Sequence, residues 1–242
     1  MKEIRIKPSE ELAYWVGVAQ SDGSLCKYLE KGRTKPKYKI SMEVNEKSKL
    51  MLVKFVELSN DLFKRKSGIW KTNRDTWCMH IGVSNLIDLF QKIDIKFKDP
   101  PIPPDWCLKT ESFFGAYLAG LIDGDGNVKI RRSKYPVCVV TISSGVKQIE
   151  LCKAIKNKLK CGASVSKEIK KGYLDGRLIE GVGYRLEFLV SYKNIKFFKL
   201  FIVPYIQLER KKSKLENFIN LREGNDISGP SANLVKLRAL GL

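Results

Sequence analysis

Leu118-Ala119-Gly120-Leu121-Ile122-Asp123-Gly124-Asp125-Gly126 is a run of small and apolar residues that ends in a carboxylate and a glycine. A looser copy stands earlier in the chain, Trp15-Val16-Gly17-Val18-Ala19-Gln20-Ser21-Asp22-Gly23. A constant offset pairs Ala13 with Ala116, Tyr14 with Tyr117, Gly17 with Gly120, Asp22 with Asp125 and Gly23 with Gly126. Ser9 and Ser112 also correspond, and because a serine side chain satisfies the first backbone donors of a helix, each is expected to start one. Residues four apart share a helix face, so Ala13, Gly17 and Ser21 form one smooth stripe and Ala116, Gly120 and Gly124 another. Stripes without bulky side chains let backbones approach closely, and two such helices packed side by side would set Asp22 beside Asp125. Gly23 and Gly126 suit a left-handed helix stop leading into a strand. Two carboxylates held at a pseudo-two-fold axis make a site for hard, oxygen-preferring cations.

The two runs resemble the motif of the LAGLIDADG homing endonucleases in their single-chain, two-copy form. The second run departs from that motif at Gly124 alone, whereas the first keeps Gly17, Asp22 and Gly23 but carries Trp15, Val16, Ala19, Gln20 and Ser21. The resemblance implies an α+β fold of two pseudo-symmetric αββαββα repeats. These form a DNA-binding saddle of two antiparallel sheets with the motif helices packed at its centre. It implies that Asp22 and Asp125 bind the catalytic metal, magnesium with manganese as a substitute, and that each half cuts one strand, leaving 3′ overhangs. Because the halves differ outside the motif, the long target is expected to be asymmetric. Polar and basic residues that order water near the metals map to Glu46, Lys96 and Lys211, with Glu209 and Lys212 open as alternatives to Lys211. The counterpart of Glu46 falls near Val146, which cannot play that part.

The charge agrees with a polyanionic partner: 45 Lys and Arg stand against 26 Asp and Glu, a net charge of +19,. Nucleic acid, double-stranded DNA or intron RNA, is the first candidate and an anionic membrane surface the second. No apolar run approaches the ~18 residues that span a bilayer, and Met1 to Leu12 lacks the apolar core of a signal peptide,, so no membrane partner is expected. Six cysteines without a Cys-x-x-Cys pair read as buried thiols in an intracellular, reducing compartment, the cytoplasm or an organelle matrix,. A single histidine, His80, excludes nucleases built on histidine-rich metal sites and is expected to be structural.

Outside the motifs, residues 27–39 read as a long lysine-rich hairpin loop, and 39–44 alternate as a half-buried strand,. Residues 47–63 show helical periodicity through Leu50, Val53, Leu58 and Leu62. A hairpin spans 69–83 and a helix 85–92,. The proline-rich segment from Lys98 to Asp105 cannot be helix or central strand,, so the expected units are repeat 1–98, linker 99–110, repeat 111–223 and tail 224–242. The second repeat returns the same order: helix 112–125, strands 127–132 and 137–143 around a turn near Lys134-Tyr135-Pro136, helix 146–159, hairpin 164–190 and helix 193–200. A terminal helix, 210–222, is added.

On the sheet faces away from the helices the first half is expected to offer Lys27, Lys39, Lys71 and Arg74, and the second Lys129, Arg131 and Arg185, suited to a ribbon lying in a major groove,. Loop lysines Lys35, Lys37, Lys170 and Lys171 suit phosphate contacts, which carry no sequence information. The expected function is that of a monomeric, site-specific homing endonuclease. Two alternatives stay open on the same fold, an intron RNA maturase and a DNA-binding regulator that does not cleave.

Overall fold

A computed structural model describes residues 6–97, 100–131, 136–174 and 177–223, with the backbone only for 170, 172–174 and 177–179. The tail 224–242, Lys134 and Tyr135 of the expected turn, and the side chain of Lys170 lie outside the described residues. The first half runs α1 (Glu10–Ser21), β1 (Ser24–Tyr28), β2 (Lys37–Val44), α2 (Lys49–Phe63), β3 (Ile69–Lys71), β4 (Trp77–Gly82) and α3 (Ile87–Lys92). The second runs α4 (Glu111–Asp123), β5 (Gly126–Arg131), β6 (Val137–Ser144), α5 (Ile149–Leu159), β7 (Ala163–Leu174), β8 (Arg177–Val190) and α6 (Ile195–Phe197), followed by the added α7 (Glu209–Glu223). Each half pairs its four strands into one antiparallel sheet, ordered β1-β2-β4-β3 and β5-β6-β8-β7. The architecture is the expected α+β arrangement of two αββαββα units. Among the described residues no helix is long and apolar enough to cross a membrane.

Helices α1 and α4 are apolar nearly all round, which suits burial on every side. Leu12 to Ala19 and Phe114 to Asp123 are buried without interruption. The two stripes face each other as expected. A Cβ on Gly17 would lie 2.2 Å from the Tyr117 carbonyl oxygen, and one on Gly120 2.3 Å from that of Tyr14. Gly115 admits a second close neighbour, since a Cβ there would meet the Phe201 backbone oxygen at 2.3 Å. The helix expected over 193–200 is regular only over Ile195–Phe197. After α6 the chain widens through Phe198–Ile202 and tightens again at Val203–Tyr205, around Pro204.

Four further expectations are corrected. Ser9 does cap α1, its Oγ accepting from Leu12 N at 3.2 Å, but α4 starts earlier relative to its motif and is capped by Thr110, which accepts from Phe113 N. Lys7 stands at the corresponding place in the first copy and has no acceptor to offer,. Neither Gly23 nor Gly126 is left-handed; among the described glycines only Gly32 has a positive φ, 81°. A Cβ on Gly23 would lie 2.5 Å from the Ala19 oxygen and one on Gly126 2.4 Å from Ile122 Cα, so these glycines let each strand leave flush against its own helix end. On α2 the core face is Met51, Leu52, Phe55, Leu58 and Phe63, with Leu50 exposed. Trp15 selects that face: it stacks on Phe55 at 5.0 Å and donates from Nε1 to Ser59 Oγ at 2.8 Å. Helix α5 begins at Ile149, leaving Val146 exposed with its N–H on Ser144 Oγ.

The proline-rich stretch is packed down. Pro101, Pro103 and Pro104 are buried, and Trp106 donates from Nε1 to the Ile93 oxygen at 2.8 Å.

Gly120→Ala tests the seam by its sign. Alanine gains about 1 kcal/mol over glycine in an open helix, whereas overpacking costs about 1–3 kcal/mol. Thermal denaturation is expected to show a lower Tm, and an unchanged or higher Tm would refute backbone contact at this point.

Candidate catalytic centre and nucleic-acid face

The seam sets the C-terminal ends of α1 and α4 side by side, and Gly124 closes the gap. A Cβ there would lie 2.0 Å from Ser21 Oγ and 2.9 Å from Asp22 Oδ2. Ser21 and Gly124 are counterparts, so the side chain of one helix fills the space that its absence on the other leaves. This accounts for the one departure of the second motif. Asp22 is half-buried at the end of α1. Asp125 is exposed and lines a cleft of 410 Å³ with Gln20, Ser21, Phe97, Ser143 and Gly145. Burial holds the Asp22 carboxyl above its ordinary range, Lys211 opposes that shift, and Asp123 adds to it.

Among the described residues no three His, Cys, Asp or Glu side chains converge on one point. The donor set is therefore sparse, one or two carboxylates at a cleft. That fits magnesium, which is commonly held by one or two carboxylates and completed by water and phosphate oxygens.

Behind the two carboxylates lies a crossed pair of hydrogen bonds. Tyr14 Oη on α1 donates to Asp123 Oδ2 on α4 at 2.8 Å, and Tyr117 Oη on α4 donates to Gln20 Oε1 on α1 at 2.7 Å. Asp123 is fully buried and also accepts from Gln207 N at 2.7 Å and Leu208 N at 3.2 Å, just before α7. Burial raises its pKa, and these hydrogen bonds, with Lys211, pull it back. Gln20 instead donates through Nε2 to the oxygens of Lys96 (2.9 Å) and Ile102 (3.0 Å). The sequence reading missed all four residues, although the offset that pairs Tyr14 with Tyr117 also pairs Gln20 with Asp123.

Lys211, on the first turn of α7, reaches this centre. Its Nζ donates to the oxygens of Ile122 (2.6 Å), Asp123 (2.7 Å) and Gly124 (3.2 Å). A lysine has three N–H donors, and these three carbonyls lie within their reach, so Lys211 secures the last turn of α4. Burial and the Arg210 charge push its pKa down to about 8 against the pull of Asp123, Asp22 and Asp125. Lys96 turns its ammonium to Asp94 at 2.9 Å, and only its backbone oxygen meets Gln20. Glu46 takes its partners from the first half, the Trp77 indole and Lys49. Gln148, just before α5, is fully buried, and neither amide atom is paired among the described residues.

Strand register sorts the expected DNA-facing cations. Lys39, Lys129, Arg131 and Arg185 alternate with buried residues and lie on the face away from the helices. Lys27 and Lys71 do not. They share parity with Leu25 and Ile69, which pack on the core, and so fall on the helix side beyond its cover. Lys37 pairs with Glu30 at 2.7 Å, Lys71 with Asp75 at 2.6 Å and Lys171 with Glu180 at 2.6 Å. Lys35 is exposed in the loop between β1 and β2. Arg74 bonds Glu43 from the turn before β4. The single histidine, His80, lies on the same outer face, its ring tilted 58° to that of Trp70 with centroids 4.9 Å apart and Nδ1 3.0 Å from Ser41 Oγ.

No protein-family model and no curated protein sequence matches the chain. Solved structures do. The chain superimposes on the LAGLIDADG meganuclease I-AabMI bound to uncleaved DNA with a TM-score of 0.56 at 12% identity, covering 94% of this chain and 96% of that one. For the LAGLIDADG homing endonuclease I-SmaMI bound to cleaved DNA the values are 0.55, 14%, 98% and 97%. For I-DmoI in complex with DNA and calcium they are 0.55, 17%, 86% and 97%. The fold is that of the single-chain LAGLIDADG homing endonucleases.

Tyr14→Phe and Tyr117→Phe are expected to differ. The first removes a donor from a buried carboxylate, about 1.5–3 kcal/mol, and the second one from a neutral amide, about 0.5–1.5 kcal/mol. Urea unfolding of the two variants measures the gap, and equal losses would contradict the assigned partners.

Proposed function

We propose that the chain is a divalent-metal-dependent endonuclease that cuts both strands of a long, asymmetric DNA target. The observation that carries this reading is the placing of Asp22 and Asp125 at adjacent helix ends on a shared seam, at the meeting of two sheets. The three structural neighbours are each bound to DNA, one of them with calcium, which supports DNA as the partner. Repeats 1–98 and 111–223, joined by linker 99–110, would each provide one half-site, so a monomer suffices. A reducing compartment suits the six free thiols.

Asp22 and Asp125 would hold magnesium, or manganese in its place, through their carboxylate oxygens. The bound ion supplies an activated water, neutralises phosphoryl oxygens and stabilises the leaving alkoxide. The chain's own residues position these two groups. Ser21 and Gly124 set the spacing of the helix ends, and Tyr14, Asp123 and Lys211 fix the last turn of α4, from which Asp125 projects. Gln20 anchors the backbone at Lys96 and Ile102 beside the same cleft. Glu46, Lys96 and Lys211 remain the peripheral polar and basic candidates. Cuts made across the minor groove would leave 3′ overhangs.

The reading is tested by exposing a randomised duplex library to the protein with magnesium and, in parallel, with calcium. Discrete products with short 3′ overhangs in magnesium are expected, and they deliver the target. Specific binding without cutting would instead assign a regulator, and a preference for structured RNA a maturase. On the selected target, Asp22→Asn and Asp125→Asn should each lower double-strand cutting by more than about 100-fold, beyond the 10–100-fold typical of changes around a metal ligand, while binding persists. Undiminished double-strand cutting in both would refute the carboxylate assignment.

A further inference from the structure

The sheet faces turned away from the helices hold fewer uncompensated cations than a net charge of +19 suggests. Arg131 and Arg185 there, and Arg74 in the turn before β4, are each joined to a glutamate of that face. Arg74 meets Glu43 at 2.7 Å, Arg131 reaches across β6 to both carboxylate oxygens of Glu187 at 2.8 Å, and Arg185 on β8 meets Glu168 on β7. In every pair the carboxylate is the more buried partner. Side-chain exposures are 36% against 78% for Glu43 and Arg74, 27% against 53% for Glu187 and Arg131, and 23% against 45% for Glu168 and Arg185. Each arginine uses Nη2 for the contact, which leaves the Nη1 and Nε hydrogens to address a partner.

Such pairs contribute little to folding, about 0–1 kcal/mol when exposed. Their geometry matters more for what the arginines can touch. A mobile arginine over DNA falls readily onto phosphate, which gives affinity without sequence information. An arginine held in one position over the face can meet guanine O6 and N7 in the major groove, a contact that carries discrimination.

We propose that Glu43, Glu168 and Glu187 are specificity-determining residues: each fixes its arginine in one position over the outer face for base reading and denies it to phosphate. The proposal rests on the DNA-cutting reading above and goes beyond it by assigning acidic residues of a basic protein to recognition. The carboxylates lie beneath the guanidinium groups, so the arginines, not the glutamates, meet the duplex first.

The test uses an unrelated random-sequence duplex and the full chain, with affinity measured by fluorescence anisotropy across a salt series. Counterion release makes log K fall with log salt by about 0.9 per phosphate contact. Glu187→Gln should therefore steepen the slope by about 0.9, and Glu43→Gln with Glu187→Gln by about 1.8. Glu223→Gln, at the end of α7, changes the net charge equally but frees Lys199, and its slope should match the wild type. On the selected target, the ratio of specific to random affinity should fall at least about tenfold in the double variant. A Glu187→Gln slope equal to that of Glu223→Gln overturns the proposal. So does a loss of target affinity with no change on random duplex, which would make the glutamates direct base readers. A wild-type protein that binds no duplex overturns the DNA-cutting reading and this proposal with it.

Discussion

The backbone of α1 touches the backbone of α4, and the rest of the molecule is placed by that contact. Gly17 and Gly120 stand where any side chain would collide with the opposite carbonyl. Protein interiors are packed as densely as organic crystals, so the separation of these two helices is not adjustable by small movements. The helix ends then have one available spacing, and Ser21 fitted into the hollow at Gly124 fixes it again one turn further on. Both sheets begin within three residues of those ends, so the same contact orients the faces that flank the cleft.

The two halves share geometry but not chemistry. Tyr14 and Tyr117 cross the seam in mirrored fashion, yet one finds a carboxylate and the other an amide. The difference comes from the segment packed behind each helix end. Behind Asp123 the chain enters α7, whose approach presents the N–H groups of Gln207 and Leu208, and helix starts favour negative charge. Behind Gln20 the chain runs into Pro100, Pro101, Pro103 and Pro104, which have no N–H to give,. Carbonyl oxygens are what that segment offers, at Lys96 and Ile102, so the residue there must donate as well as accept. An amide does both; a carboxylate does not.

The surface shows the same economy of partners. Outer-face arginines are joined to glutamates set deeper in the sheet, while Lys39 and Lys129 on that face have no carboxylate bonded to them among the described contacts. Composition alone makes the chain a uniform polycation. The register makes it a face on which some cations are held in place and others are ready for phosphate.

Much of this was legible without coordinates. The paired motifs, their stripes, the strand–helix order and the juxtaposition of Asp22 with Asp125 all follow from periodicity and steric size, which are local properties of the chain. What was not legible depended on groups far apart in sequence. The purpose of Gly23 and Gly126 was set by strands leaving flush with their helices, not by a left-handed turn. The core face of α2 was chosen by Trp15, so Leu50 was left outside. Lys27 and Lys71 were sent to the helix side by register. Asp123 and Lys211 met in the interior because most buried polar atoms are paired with whatever partner the fold supplies. The sequence by itself determined which elements form and which residues are small enough to let two of them touch. Only the tertiary structure decided which charged and polar side chains answer one another, because burial and strand register, not proximity along the chain, select those partners.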